Sequence, residues 1–207
     1  MIYTIFDIET DGLIVGNKFP HVLEVGYIQI NNDVEILRGG SFYFYRPEWD
    51  LKADALKVNG LTKEFLAEHE NDYFSSMVKL WTLMQKGYLI GKNSDAFDIP
   101  VCRSMFSACS VMPVLPSVAA SYDLQKIWAP VYRDVMQQLS GTRPKGPGKL
   151  GEYVKLLGYS DEDVQKQFEE LFPDEKRCGA HGALYDSYMT YLVLKDAINR
   201  RLVALGG

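Results

Sequence analysis

The chain has 207 residues, 47% of them hydrophobic and 24% charged, with a formal net charge of −5. That length can bury a sizeable core within one domain, and the balance excludes a disordered chain or a disulfide-dense miniature scaffold. No apolar run reaches membrane-spanning length, and the first residues enter a strand pattern with no basic leader or cleavage site, so neither a transmembrane segment nor a signal peptide is expected.

Three cysteines, Cys102, Cys109 and Cys178, form no CxxC pair. They argue against a disulfide framework and a zinc site, and for a reducing, cytoplasmic setting (the host cytoplasm if the source is viral). Proteins that coat duplex nucleic acid are usually basic overall. An acidic total fits a local groove, or a carboxylate cluster that binds cations, and so neither supports nor excludes a nucleic-acid substrate.

In chain order, residues 2–8 are β-rich, 22–30 alternate in part, and 34–45 follow the turn Asn31-Asn32-Asp33, which together predict a three-stranded antiparallel meander. Residues 51–58 read as a short helix stopped by Asn59-Gly60, and Thr62 caps a second short helix with Glu64 in its first turn. Residues 72–86 carry Phe74, Val78, Trp81 and Met84 at helical spacing, ended by Gly87. Residues 88–91 fit a short buried strand and 99–108 a helix. After Pro113 and Pro116 come an extended piece over 121–124 and a helix through 139. Residues 141–149 are the clearest loop. Helices follow at 150–157 and 161–171, then a long one over 184–205. This order predicts a single α/β domain over residues 1–207, a mixed central sheet with helices on both faces.

The strongest chemical signal is Phe6-Asp7-Ile8-Glu9-Thr10. On a strand, residues two apart share a face, so Asp7 and Glu9 project together. Paired, partly buried carboxylates repel unless cations neutralise them, and hard divalent ions such as Mg²⁺ or Mn²⁺ prefer such oxygens. Two exposed acids at a strand end are the bland alternative. A second segment, Gly91 to Asp98, places Asp98 where a helix begins and its N–H groups favour the ionised carboxylate; alone it reads as an ordinary helix cap. In the third, His181-Gly182-Ala183-Leu184-Tyr185-Asp186, the histidine sits on a turn just before the last helix and Asp186 in that helix's first turn. Histidine accepts protons near neutral pH, although a lone loop histidine is more often merely solvated.

Taken together and in this order, the three segments resemble the DnaQ-like exonucleases with an Asp-Glu-Asp-Asp-His site, which carry a ribonuclease H-like fold. Ala55-Leu56-Lys57-Val58-Asn59-Gly60-Leu61-Thr62 looks like that family's A-x-x-V-H-G-I-T stretch. Residues 181–188 are similar to part of exodeoxyribonuclease X. The resemblance implies a 3′–5′ exonuclease that removes mononucleotides from nucleic-acid 3′ ends, most readily single-stranded DNA, with two Mg²⁺ or Mn²⁺ ions. It implies that Asp7, Glu9 and Asp186 hold one cation, that Asp7 bridges to a second, that Asp98 acts mainly through water, and that His181 is the general base. Thr10 would contact the terminal 3′-hydroxyl through its backbone. Leu13, and less readily Phe97, would wedge against the last base, core packing being the simpler reading of Phe97. Tyr185 and Tyr188 read as packing residues.

An exoribonuclease of the oligoribonuclease or ribonuclease T kind is the alternative within the fold. A non-catalytic binding module is a third reading, against which the retention of all five site residues speaks. This chain departs from many relatives in having Lys92-Asn93 where they have His-Asn, with Asn93 one residue further from Asp98. The loop Arg143 to Lys149 supplies three cations and no acid; it reads equally as a strand-tracking surface or as a solvated loop.

Overall fold

The computed structural model describes residues 1–69, 72–85, 88–109, 121–177, 179 and 181–205. Five strands, β1 (Tyr3–Thr10), β2 (Val22–Ile30), β3 (Ile36–Tyr43), β4 (Tyr88–Gly91) and β5 (Ser121–Asp123), form one sheet in the order β3-β2-β1-β4-β5. The first three make the expected antiparallel meander, whereas β4 and β5 run parallel to β1. Parallel neighbours need crossover connections, and helices supply them. Between β3 and β4 lie α1 (Ala53–Asn59), α2 (Lys63–His69) and α3 (Tyr73–Gln85), and between β4 and β5 lies α4 (Asp98–Ala108); α5 (Leu124–Ser140), α6 (Leu150–Leu156), α7 (Asp161–Leu171) and α8 (Ala183–Asn199) follow the last strand.

Local chemistry sets most of the boundaries. α1 ends at Gly60 (φ 69°) and α5 at Gly141 (φ 73°), both left-handed, a conformation glycine adopts without steric cost. The Thr62 hydroxyl accepts from the Phe65 amide at 3.0 Å, capping α2. β3 and α8 depart most from the lengths that the sequence pattern suggests. β3 starts at Ile36 rather than 34 because the Asn31 side chain accepts from the Asp33 and Glu35 amides and Val34 takes φ 64°, which prolongs the turn. α8 stops at Asn199 rather than 205: Arg201 turns left-handed (φ 58°) and the Leu202 amide returns to the Ala197 carbonyl at 2.8 Å, closing the helix as a C-terminal cap does. The helix stop expected at Gly87, together with Pro113, Pro116 and Cys178, falls outside the described residues.

The pleat of β1 sorts its side chains between two cores. Tyr3 and Ile5, with Ile28 and Ile30 of β2, pack under Trp128, Tyr153, Phe168, Leu184, Tyr188 and Val193 of α5 to α8. Phe6 and Ile8, with Val25 and Tyr27, pack on the other face against Met77, Leu80, Ile99 and Cys102 of α3 and α4. A smaller cluster of Leu23, Tyr43, Leu51, Leu61 and Leu66 seats α1 and α2. Cys102 is buried, and neither it nor Cys109 is in a disulfide. Among the described residues, no helix is long and apolar enough to cross a membrane.

Candidate active site

The site grows out of the strand register. On the face beneath α8, Tyr3 pairs with Ile30, Ile5 with Ile28, Asp7 with Gly26 and Glu9 with Glu24. The row is therefore apolar at one end and acidic at the other, and α8 begins above the changeover. Its first turn lies directly on Gly26, where a Cβ would stand 2.0 Å from the Leu184 nitrogen and 2.1 Å from the Ala183 carbonyl carbon. Only glycine permits that approach. The Ser187 hydroxyl donates to the Gly26 carbonyl at 3.1 Å and fixes it. The seating brings Asp186, in the first turn of α8, over the acidic end of β1.

Asp98 arrives from the other side of β1. It opens α4 and accepts a hydrogen bond from the Ile8 amide at 3.2 Å, which ties the helix start to the strand between Asp7 and Glu9. The connection before it is held by Asp123, whose carboxylate accepts from the Asn93 amide at 2.8 Å and the Gln125 amide at 3.0 Å. Asn93 is left-handed there (φ 64°). Lys92, next to it, donates to Gln125 at 3.4 Å and lines the same cavity as Asp7 and Asp186.

His181 is exposed and left-handed (φ 66°), and its backbone amide hydrogen-bonds the Asp186 carboxylate. Glu9, His181 and Asp186 each present one ligand atom, and the three atoms lie within 4.8 Å of one another. Asp7 and Asp98 stand outside that compact group but are electrostatically joined to it. A cavity of about 800 Å³ is lined by Asp7, His181 and Asp186 together with Lys92, Lys149 and Lys155.

So many acids in one place are costly to ionise. Burial pushes the Asp7 carboxyl well above its usual range, and the neighbouring Asp98, Asp186 and Glu9 push it further. Burial, then Asp186 and Glu24, raise Glu9 to about 9, against the pull of Arg177. Asp98 is raised to about 7 by burial, although its own and the Ile8 amide hold it down. Asp186 is also raised to about 7 by burial, restrained by the His181 amide, Arg177 and Lys92. Asp186 Oδ1 is buried with no hydrogen-bond partner among the described residues. An orphaned carboxylate oxygen among mutually repelling oxygen donors is what a hard divalent cation would satisfy, so this donor set fits Mg²⁺ or Mn²⁺.

The remaining sequence-derived candidates divide. Thr10 is buried and its hydroxyl donates to the Gly12 carbonyl at 2.7 Å, making a tight turn beside the acids. Leu13 is 73% exposed on the hairpin that follows. Phe97 packs against the α3/α4 core. Tyr185 and Tyr188 pack on Phe168, although Tyr185 also reaches the cavity. In the cationic loop, Arg143 is paired with Asp134 at 2.8 Å, whereas Lys149 lines the cavity.

Sequence reasoning passed over Gly26, Glu24 and Arg177. A charged residue inside Val22-Leu23-Glu24-Val25-Gly26 was the available signal for Glu24: a carboxylate in an otherwise apolar central strand needs a partner. Nothing local pointed to Arg177, two of whose partners, Glu24 and Asn59, lie far away in the chain.

Comparison with protein-family models and with curated proteins finds no match. Comparison with solved structures does. A structure of exonuclease I, described as suggesting how processivity is achieved, superposes with a TM-score of 0.69 at 19% identity, covering 97% of this chain and 42% of that one. E. coli exonuclease I in complex with a dT13 oligonucleotide gives 0.66 at 16% identity, covering 97% and 42%. The metal-free form of the E. coli exonuclease I–single-stranded DNA complex gives 0.70 at 16% identity, covering 97% and 40%. The chain thus spans about two fifths of the length of the proteins it resembles. These relatives are exonuclease I, not the exodeoxyribonuclease X to which residues 181–188 are similar. At such identities the likeness establishes architecture: the chain has the ribonuclease H-like α/β fold shared with exonuclease I.

Proposed function

We propose that this chain is a metal-dependent 3′–5′ exonuclease that removes mononucleotides from single-stranded DNA, and that residues 1–207 form one exonuclease domain. The observation that carries the reading is the convergence of Glu9, His181 and Asp186 within 4.8 Å, with a buried, unpartnered Asp186 oxygen, from opposite ends of the chain in a fold shared with a DNA exonuclease. The single-stranded DNA bound by those exonuclease I structures favours DNA as the substrate.

Asp7, Glu9, Asp98 and Asp186 are the residues that would hold two Mg²⁺ or Mn²⁺ ions, which when bound supply charge stabilisation at the attacked phosphate and the leaving 3′ oxygen. His181, exposed at the cavity mouth, takes the proton from the attacking water and passes it to solvent. Thr10 holds the turn against which the terminal sugar rests, and Leu13 stands free to press on the last base. Lys92, Lys149 and Lys155 line the cavity and offer charge to the phosphates of an entering strand.

The test is a digestion series with 5′-labelled single-stranded DNA, duplex DNA and RNA of one sequence, with Mg²⁺, with Mn²⁺ and with chelator. Stepwise shortening of labelled single-stranded DNA that stops in chelator is expected. Faster loss of the RNA would move the substrate to the exoribonuclease class. Undiminished cleavage in chelator, or by an Asp186→Ala protein, would refute the reading.

A further inference from the structure

Arg177 makes contacts that none of the steps above uses. It lies between α7 and α8 with its side chain 13% exposed. Nη1 donates to the Glu24 carboxylate, which is fully buried on β2 directly opposite Glu9. Nη2 donates to two carbonyls, that of Asn59 and, at 2.6 Å, that of His181. Asn59 closes α1, so its carbonyl is one of those a helix end leaves without an internal partner. The Asn59 side chain in turn donates to the Thr10 carbonyl at 3.1 Å. One guanidinium therefore joins β2, the end of α1 and the His181 turn, with a further link to the end of β1.

The burden of holding His181 explains why such a clamp is needed. A left-handed non-glycine residue is strained and persists only where its surroundings hold it. Both backbone groups of His181 are held: Asp186 takes the amide and Arg177 takes the carbonyl. With both ends fixed, the ring is directed at Glu9 and Asp186. Glu24 supplies the anchor, since a charged acceptor sunk in the sheet fixes the guanidinium more firmly than a surface partner could. The planar fork serves acceptors lying in different directions, which the single ammonium of lysine cannot match.

We propose that Arg177, anchored on the buried Glu24, is a positioning residue for His181, holding that strained backbone so that the imidazole faces the Glu9–Asp186 pair. The inference rests on the nuclease reading for its kinetic consequence but not for its structural one, and the two are tested apart. The chain has three histidines, His21, His69 and His181, so their ring NMR resonances can be assigned by substitution. In an Arg177→Met protein the His181 ring signal is expected to move to its random-coil position while His21 and His69 stay; an unmoved His181 signal overturns the proposal whether or not the protein is a nuclease. In the single-stranded DNA assay, Arg177→Met is expected to lose about tenfold or more in kcat, within the roughly 10²–10⁴ worth of a general base, with KM within about threefold. Adding it to His181→Ala should cost nothing further, because it acts through that residue. Losses that multiply across the two substitutions, or a matching loss of Mn²⁺ affinity, refute the assignment. Should Arg177→Met fold poorly, Arg177→Lys serves in the same cycle, with partial recovery of kcat expected and full recovery contradicting the fork argument. A wild-type protein that leaves the labelled strand intact would sink the nuclease reading alone.

Discussion

Gly26→Ala is the substitution whose consequence follows most directly from distances. The new methyl group would stand 2.0 Å from the Leu184 nitrogen, 2.1 Å from the Ala183 carbonyl carbon and 2.4 Å from its oxygen, all backbone atoms of the first turn of α8. No side-chain rotation relieves such a clash. To reach the 3.0 Å below which real Cβ contacts essentially never fall, the helix start must withdraw by about 1.0 Å, and ordinary contact at 3.4 Å asks about 1.4 Å. Asp186 rides on that turn, whereas metal–ligand distances hold to about ±0.2 Å, and a misplacement of about 1 Å costs on the order of 10²-fold in rate. Overpacking of this kind costs about 1–3 kcal/mol, and each kcal/mol lowers Tm by about 2–4 °C in a chain of this size. The expected result is therefore a folded protein, melting several degrees lower, with Mn²⁺ affinity and single-stranded DNA cleavage both reduced at least about a hundredfold. Calorimetry and a rate assay held well below Tm separate the two effects. Gly40→Ala, whose Cβ would meet nothing nearer than a Tyr27 ring carbon at 4.0 Å, is the matched control and should change neither. If Gly26→Ala keeps its cleavage rate within about threefold of wild type, the seating of α8 does not place Asp186 and the geometric argument fails.

Three further outcomes follow from the site. Asp98 and Asp186 are raised to about 7 and Glu9 to about 9, mainly by burial, so in the metal-free protein the folded state keeps protons that the unfolded chain releases near pH 4. Metal-free stability is accordingly lost as pH rises from about 4 through 7 and on towards 9, and Mg²⁺, by replacing those protons, should raise Tm more at about pH 8 than at about pH 5.5; equal gains would argue against cation binding by these acids. His181→Ala is expected to lower turnover by about 10²–10⁴-fold with metal affinity nearly unchanged, and Asp7→Asn to lower both, by titration calorimetry and the DNA assay; a fully active His181→Ala protein would remove the histidine from the chemistry. Substituting Lys145 and Lys149 with Ser should flatten the salt dependence of single-stranded DNA binding by roughly 0.7 in log–log slope for each phosphate that is no longer neutralised; an unchanged slope takes both residues out of the strand's path.

The sequence alone could determine what is written in short-range periodicity. Asp7 and Glu9 share a strand face because the pleat has a period of two, and Asp186 sits in a helix's first turn because the pattern changes period just before it. Caps at Thr62 and stops at Gly60 and Gly141 are equally local, since each depends on one residue's own chemistry. Where a local pattern was overridden, the cause was also specific: the apolar residues beyond Asn199 continue a helical spacing, yet the chain turns back at Arg201 and Leu202 bonds to Ala197.

What the tertiary structure alone decided is how these pieces meet. The register pairing Asp7 with Gly26 is set by contacts across strands, and the absence of a side chain at Gly26 lets α8 descend until Asp186 faces Glu9 and His181. Glu24 and Arg177 are 153 residues apart, and the pairing exists only once β2 and the turn before α8 are packed together. The elevated carboxyl pKa values have the same origin, because burial and mutual repulsion belong to the assembled site and to none of its residues singly. Periodicity is a property of neighbours along the chain; the meeting of Glu9, His181 and Asp186 is a property of neighbours in space, and it follows from the room that Gly26 leaves for α8.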